Sequence, residues 1–230
     1  MCIRCIVNDI NQCEDRSILP TLELDQVNSY YYNPTQNNNN SDISQFYVPQ
    51  PIDSLIWQNA GFDNTQPIKV HFVMENSFAY DEGFSIRSDG FTDSDVVSIS
   101  KIFDNVSSFA NINFEYTDDY NEADIRLATS DFGDGLYGYM YPQGTSLESD
   151  GLGVLNSNPE YWNNSSNQTG GFMNSVIIHE LGHGLGLAHT HDTGGGSSIM
   201  QGVSSSGDTG DYSNMNQTIF SIMSYNDGWE

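Results

Sequence analysis

The residues with the most chemistry in their types and spacing run from His179 to His189, in the order HELGHGLGLAH. His179 and His183 are four apart. On a helix their imidazoles therefore lie one turn apart on the same face and can aim at one ion. Glu180 is one residue further round, which puts its carboxylate beside such an ion and not on it. A third ligand must come from chain that leaves the helix at once. Gly186 permits that exit, because glycine reaches the positive-φ backbone that ends a helix without a Cβ penalty. His189 is then the third ligand. Three neutral imidazoles with an open fourth position form the ligand set of a catalytic zinc site, whereas structural sites are usually closed by four protein ligands, often thiolates. A glutamate beside an open position can serve as general base toward a water molecule held there. A bare HExxH also arises by chance in helices whose histidines only pack; HExxHxxGxxH, with five fixed places in eleven, is far more specific.

Such a face needs a helix packed behind it. The helix is expected to begin near Gly171, with Phe172, Met173, Val176, Ile177, Leu181 and Leu185 as its buried back, and to end at Gly184 and Gly186. Upstream, Ile68, Val70, Phe72 and Met74 alternate and predict a strand with that set facing inward and His71 on the surface. After a polar turn, Thr92 is the expected N-cap of a helix carrying Val96, Ile99, Ile102, Phe103, Val106 and Phe109 at helical spacing. Strands are expected through Ile112, Phe114 and Tyr116, through Ala123, Ile125 and Leu127, from Leu136 to Tyr141, and from Gly153 to Asn156. Strand, helix, strands and then the histidine helix predict an α/β sheet, and 136–141 is the expected exposed edge, the kind of strand an extended peptide can pair with.

Composition narrows the partners. Six basic residues against 31 acidic ones give a net charge of −25 in 230 residues, which disfavours nucleic acid and anionic membrane surfaces. The same charge suits calcium, basic substrates, high salt or plain solubility. Asp192, Asp208 and Asp211, in a glycine- and serine-rich loop after the histidines, are candidate calcium ligands. His191, two places past His189, is a competing zinc ligand that the spacing disfavours. Cys2, Cys5 and Cys13 all lie in the first 13 residues, so the remaining chain has no disulfide framework; they read as part of a flexible tail or, alternatively, as thiols able to occupy an open zinc position. No apolar run has the length of a signal peptide or of a membrane span. Residues 1–50, with their tyrosine and asparagine runs, are expected to be a disordered tail or pro-segment, and 51–230 the functional domain.

A second motif, SIMSYNDGW, runs from Ser221 to Trp229. HELGHGLGLAH followed by S-x-M-S-Y resembles the metzincin zinc peptidases, and in particular the serralysin branch of secreted bacterial endopeptidases. The segments ADIRLATSD and VLNSNPEYW also resemble stretches that precede the active-site helix there. The resemblance implies a zincin-like α/β fold. Its sheet is twisted and mostly parallel with an antiparallel edge strand, a backing helix and an active-site helix, and a loop-rich part ends at the Met-turn. It implies a catalytic Zn2+ on His179, His183 and His189, Glu180 as general base, Met223 in a tight turn beneath the histidines, and Tyr225 at the metal as extra ligand or oxyanion donor. The expected activity is hydrolysis of protein or peptide substrates by a monomer exported without a cleaved leader. The alternative is a non-catalytic zinc-stabilised peptide-binding or adhesion module. Thr190 stands where serralysins usually carry proline, and the chain ends five residues after Tyr225 where relatives continue, so it reads as truncated at its C-terminus.

Overall fold

The computed structural model describes residues 51–62, 65–144, 148–211 and 213–227; the segment 1–50, with its three cysteines, lies outside the described residues. The strands are β1 (Ile68–Phe72), β2 (Phe78–Asp81), β3 (Phe84–Arg87), β4 (Phe114–Tyr116), β5 (Ile125–Ser130), β6 (Gly138–Met140) and β7 (Leu152–Asn156). The α-helices are α1 (Asp93–Phe109), the four-residue α2 (Asn164–Asn167) and α3 (Phe172–Gly184). Five strands form one sheet in the order β4-β1-β5-β7-β6. All its pairings are parallel except the last, where β6 runs antiparallel to β7 with Tyr139 opposite Val154. This is the α/β architecture expected from the sequence, with the antiparallel strand at the edge.

The sheet is buried on both faces at its centre, and β7 is buried at every residue, as interior parallel strands usually are. One face packs Val70, Ile125, Leu127 and Leu155 against Ile99, Ile102 and Phe103 of α1 and Ile177 and Leu181 of α3. Each such side chain removed from water contributes about 1.5–3 kcal/mol. The other face packs Val73, Ala128, Leu152 and Val154 under Ala79 and Ile86 of the hairpin β2–β3.

Helix α1 starts where expected. Thr92 accepts the Asp95 N–H at 3.2 Å while the Asp95 carboxylate accepts the Thr92 N–H at 2.9 Å, a reciprocal capping box. The buried Asp95 also accepts from Asn167 Nδ2 at 2.8 Å, which ties α2 to α1 and sets the approach to α3.

Four expectations need correction. Met74 does not face inward: β1 ends at Phe72, the Val73 N–H goes to Leu127 O at 2.8 Å, and Val73 turns to the opposite core, leaving Met74 68 % exposed. The stretch read as a polar turn is the hairpin β2–β3, closed by Glu82 and Gly83, both at positive φ as a two-residue hairpin turn demands. Phe109 and Phe172, expected in buried faces, are each 51 % exposed because they sit at a helix end beyond the reach of the sheet. His71 is half-buried, with Nδ1 on Thr117 O at 2.9 Å.

Candidate metal centre

Helix α3 carries the first two histidines and ends in a way that delivers the third. Gly186, at φ 90°, donates its N–H to His183 O, and Leu187 donates to Gly182 O, both at 2.8 Å. This pair is a Schellman motif, which stops the helix and turns the chain back. The returning strand is held from outside: Trp57 N–H donates to Gly186 O at 2.9 Å, Ala188 N–H to Leu55 O at 3.0 Å, and the Trp57 ring meets His183 edge-on at 5.9 Å. His189 is thereby brought opposite α3.

The three imidazoles converge. His189 Nε2 lies 3.1 Å from His179 Nε2 and 3.0 Å from His183 Nε2. Their other nitrogens each face an oxygen that can only accept: His179 Nδ1 on Ile222 O at 2.7 Å, His183 Nδ1 on Leu187 O at 2.9 Å, and His189 Nδ1 on an Asp192 carboxylate oxygen at 2.9 Å. These partners assign the protons to Nδ1 and leave three Nε2 lone pairs facing one another. Burial, the largest cause, holds His179 down at about 4 and His183 at about 3, so neither of these two imidazoles carries a second proton at neutral pH. Bare lone pairs at 3 Å repel unless a cation sits among them, and the donor set fits Zn2+. Among the described residues, His179, His183 and His189 form one group able to hold a metal ion.

The oxygen under His179 comes from the turn around Met223. Met223 N–H donates to Ser221 Oγ at 3.2 Å and Ser224 N–H to Ser221 O at 3.1 Å, closing a tight turn with the Ile222 carbonyl aimed at the imidazole. Met223 is fully buried, and a Cβ placed on Gly182 would lie 2.6 Å from its sulfur. The helix glycine therefore lets the turn approach α3.

Glu180 is buried beside the triad, and that burial pushes its carboxyl up to about 8. Its stem packs on β6, where a Cβ on Gly138 would stand 3.2 Å from Glu180 Cγ. The Tyr225 ring lies 4.7 Å from His189 and 5.5 Å from His179. Burial, and then the Glu180 carboxylate, raises the pKa of its hydroxyl, which keeps it protonated at neutral pH.

His191 stacks on His189 at 5.0 Å, with Nε2 3.8 Å from Asp192, and so stands outside the triad, in a second group formed by His189, His191 and Asp192. The three aspartates proposed for calcium are not brought into one group among the described residues. Asp192 is committed to His189 and to the Gly194 N–H at 2.8 Å, and Asp208 accepts from Ser204 and Ser205. Thr190, at the place where serralysins usually carry proline, is fully buried and donates its hydroxyl to Asn216, tying the ligand loop to the chain before the Met223 turn. Sequence reasoning missed the parts played by Trp57, Gly138, Gly182 and Asn216. Two of them are glycines, for which a close approach is the only signal.

Solved structures of myroilysin are similar to this chain at low identity. One is 19 % identical with a TM-score of 0.40, covering 60 % of this chain and 55 % of that one; another is 18 % identical with a TM-score of 0.38, covering 63 % and 59 %. The chain thus spans less than two thirds of either. No curated protein matches it. Among the described residues, no helix is long and apolar enough to cross a membrane. The family described as Matrixin matches residues 87–218, more than half of the chain and a span that includes α3, all three histidines and Glu180. The chain belongs to the matrixin family of metallopeptidases.

Proposed function

We propose that this chain is a zinc endopeptidase that cuts peptide bonds in proteins, with His179, His183 and His189 holding the ion. The observation that carries this reading is the convergence of three Nε2 atoms whose Nδ1 protons are all engaged by acceptors. Zinc bound there would polarise the scissile carbonyl and acidify a water molecule.

The other groups do work the chain itself can supply. Glu180 accepts a proton from the attacking water and returns it to the leaving amine. Burial favours its protonated form, and a dication beside it favours the carboxylate, so the group is balanced between giving and taking a proton near neutral pH. Tyr225, protonated and facing the histidines, donates to the carbonyl oxygen as negative charge develops on it. Asp192 holds His189 in the tautomer that leaves Nε2 free. The substrate lies extended along β6, whose far edge has no strand partner among the described residues.

A glutamate beside the open side of the triad has no use in a purely structural centre, which is the case against a non-catalytic binding or adhesion module. The S-x-M-S-Y turn supports a serralysin-like subtype and, with it, a secreted enzyme working on extracellular proteins as a monomer. Residues 51–230 are proposed as the catalytic domain, because the stretch from Leu55 to Trp57 already bonds to the ligand loop. Cleavage of an unfolded protein should stop on treatment with a strong chelator and return with about one equivalent of zinc. Activity that survives complete zinc removal, measured on the same sample, would contradict the reading.

A further inference from the structure

Beside the metal centre three aromatic rings form a surface that the proposed chemistry does not use. Tyr137 meets Tyr161 at 4.9 Å and Phe172 at 4.8 Å, both edge-to-face. Tyr137 is 39 % and Phe172 51 % exposed, and Leu136 beside them is 48 % exposed. Edge-to-face stacking of exposed rings is favourable but leaves their faces in water, and a contiguous apolar patch of this kind marks a contact surface.

The patch is held in place. Asn156, fully buried, donates through Nδ2 to Gly133 O and Leu136 O, both at 2.7 Å, and its N–H bonds to Tyr137 O at 2.9 Å. Tyr161 donates its hydroxyl to Asp134 at 3.1 Å, and Phe172 is the first residue of α3. The rings therefore stand on braced backbone, and tyrosine and phenylalanine have few side-chain rotations left to lose on contact.

The patch is also continuous with the centre. Tyr137 directly precedes Gly138, which packs on Glu180. Tyr137, just before β6, and Tyr141, just after it, point their backbone groups at β7 and the turn leading into it, and by the alternation of an antiparallel pair Gly138 and Met140 point theirs at the free edge. A polypeptide that pairs with that edge beside Glu180 and continues past Gly138 comes alongside the rings. From Glu180 to Phe172 is eight residues of helix, about 12 Å, equal to roughly three or four residues of extended chain.

We propose that Tyr137, Tyr161 and Phe172 form a shelf that takes a large apolar or aromatic side chain of the substrate, roughly two to four residues from the bond that is cut. The proposal rests on the peptidase reading and names its preferred substrates. The three shelf side chains are neutral, Asp134 lies at their rim, and the chain bears a net charge of −25, so acidic side chains are disfavoured there.

The test maps every cut made in an unfolded protein by the parent, Tyr137→Ser and Phe172→Ser enzymes. Both side chains are exposed, and thermal unfolding checks that the variants remain folded. The parent should show Phe, Tyr, Trp or Leu enriched, and Asp and Glu depleted, at one fixed position. For a peptide pair differing only by Phe or Ala at that position, the Phe-to-Ala ratio of kcat/KM should fall roughly three- to tenfold in each variant, through KM. A preference unchanged in both variants, or no enriched position in the parent, overturns the shelf. A parallel measurement is independent of turnover: Glu180→Ala should bind the Phe peptide more tightly than the Ala peptide, and adding Phe172→Ser should abolish the difference. Equal affinities in Glu180→Ala overturn the shelf. If the parent cuts nothing, the peptidase reading fails and these affinities alone decide the shelf.

Discussion

His189 differs from the other two histidines in what holds it. His179 and His183 lean on backbone carbonyls, while His189 leans on the Asp192 carboxylate. Burial works against that charge, and the Gly194 N–H and His189 more than offset it, leaving the Asp192 pKa below the usual carboxylate range. An anion behind the imidazole makes Nε2 a stronger donor to a metal. Asp192→Asn keeps an acceptor for the Gly194 N–H but loses the charge, so zinc affinity should fall about 10- to 100-fold in competition with a chromophoric chelator. Unchanged affinity would reduce Asp192 to a loop residue. The three converging histidines were legible as candidate ligands because the pattern from His179 to His189 fixes five places in eleven. Their supports were not: Ile222 and Leu187 act through carbonyls that every residue has, and an aspartate in a glycine-rich loop reads as calcium chemistry until its partner is known.

At the scale of elements, α3 and the Met223 turn fit through an absence. Gly182 is a poor helix residue, and alanine in its place normally stabilises a helix by about 1 kcal/mol. Here a Cβ would stand 2.6 Å from the buried Met223 sulfur, beneath the histidines. Gly182→Ala should therefore destabilise by roughly 1–3 kcal/mol in denaturant unfolding and weaken zinc binding, because displacing the turn moves the Ile222 carbonyl off His179. A more stable variant would mean that the turn has slack. Strong local signals made some elements readable: Thr92 as the N-cap of α1, the alternation of β1 up to Phe72, and the edge strand near 138–140. The hairpin β2–β3 escaped because its exposed Phe78, Tyr80 and Phe84 do not alternate cleanly against polar neighbours. Phe172 was misplaced because helical periodicity cannot show that the neighbouring sheet stops short of the first turn.

Over the whole molecule, the groups at the centre set opposing pH dependences in the metal-free protein. The His179 and His183 pKa values, about 4 and 3, lie below the ordinary 6.5, so their contribution to stability is present above about pH 6.5 and is lost as pH falls toward those values. The Glu180 pKa, about 8, lies above the ordinary 4.5, so its contribution is present below about pH 4.5 and is lost as pH rises toward 8. Two histidines outweigh one glutamate between those limits, so this part of the stability peaks near about pH 6.5. Melting temperatures measured in chelator should show that maximum, and Glu180→Gln should flatten the alkaline limb. A limb unchanged by Glu180→Gln would place its cause elsewhere. The most direct test of the central claim is cleavage of an unfolded protein by the parent and by Glu180→Ala, with zinc measured in the same samples. About one zinc is expected in each, with cleavage by the parent and loss of cleavage by several orders of magnitude in the variant. Zinc in both and cleavage by neither would leave a metal site without the proposed activity, and equal cleavage by both would contradict the role given to Glu180.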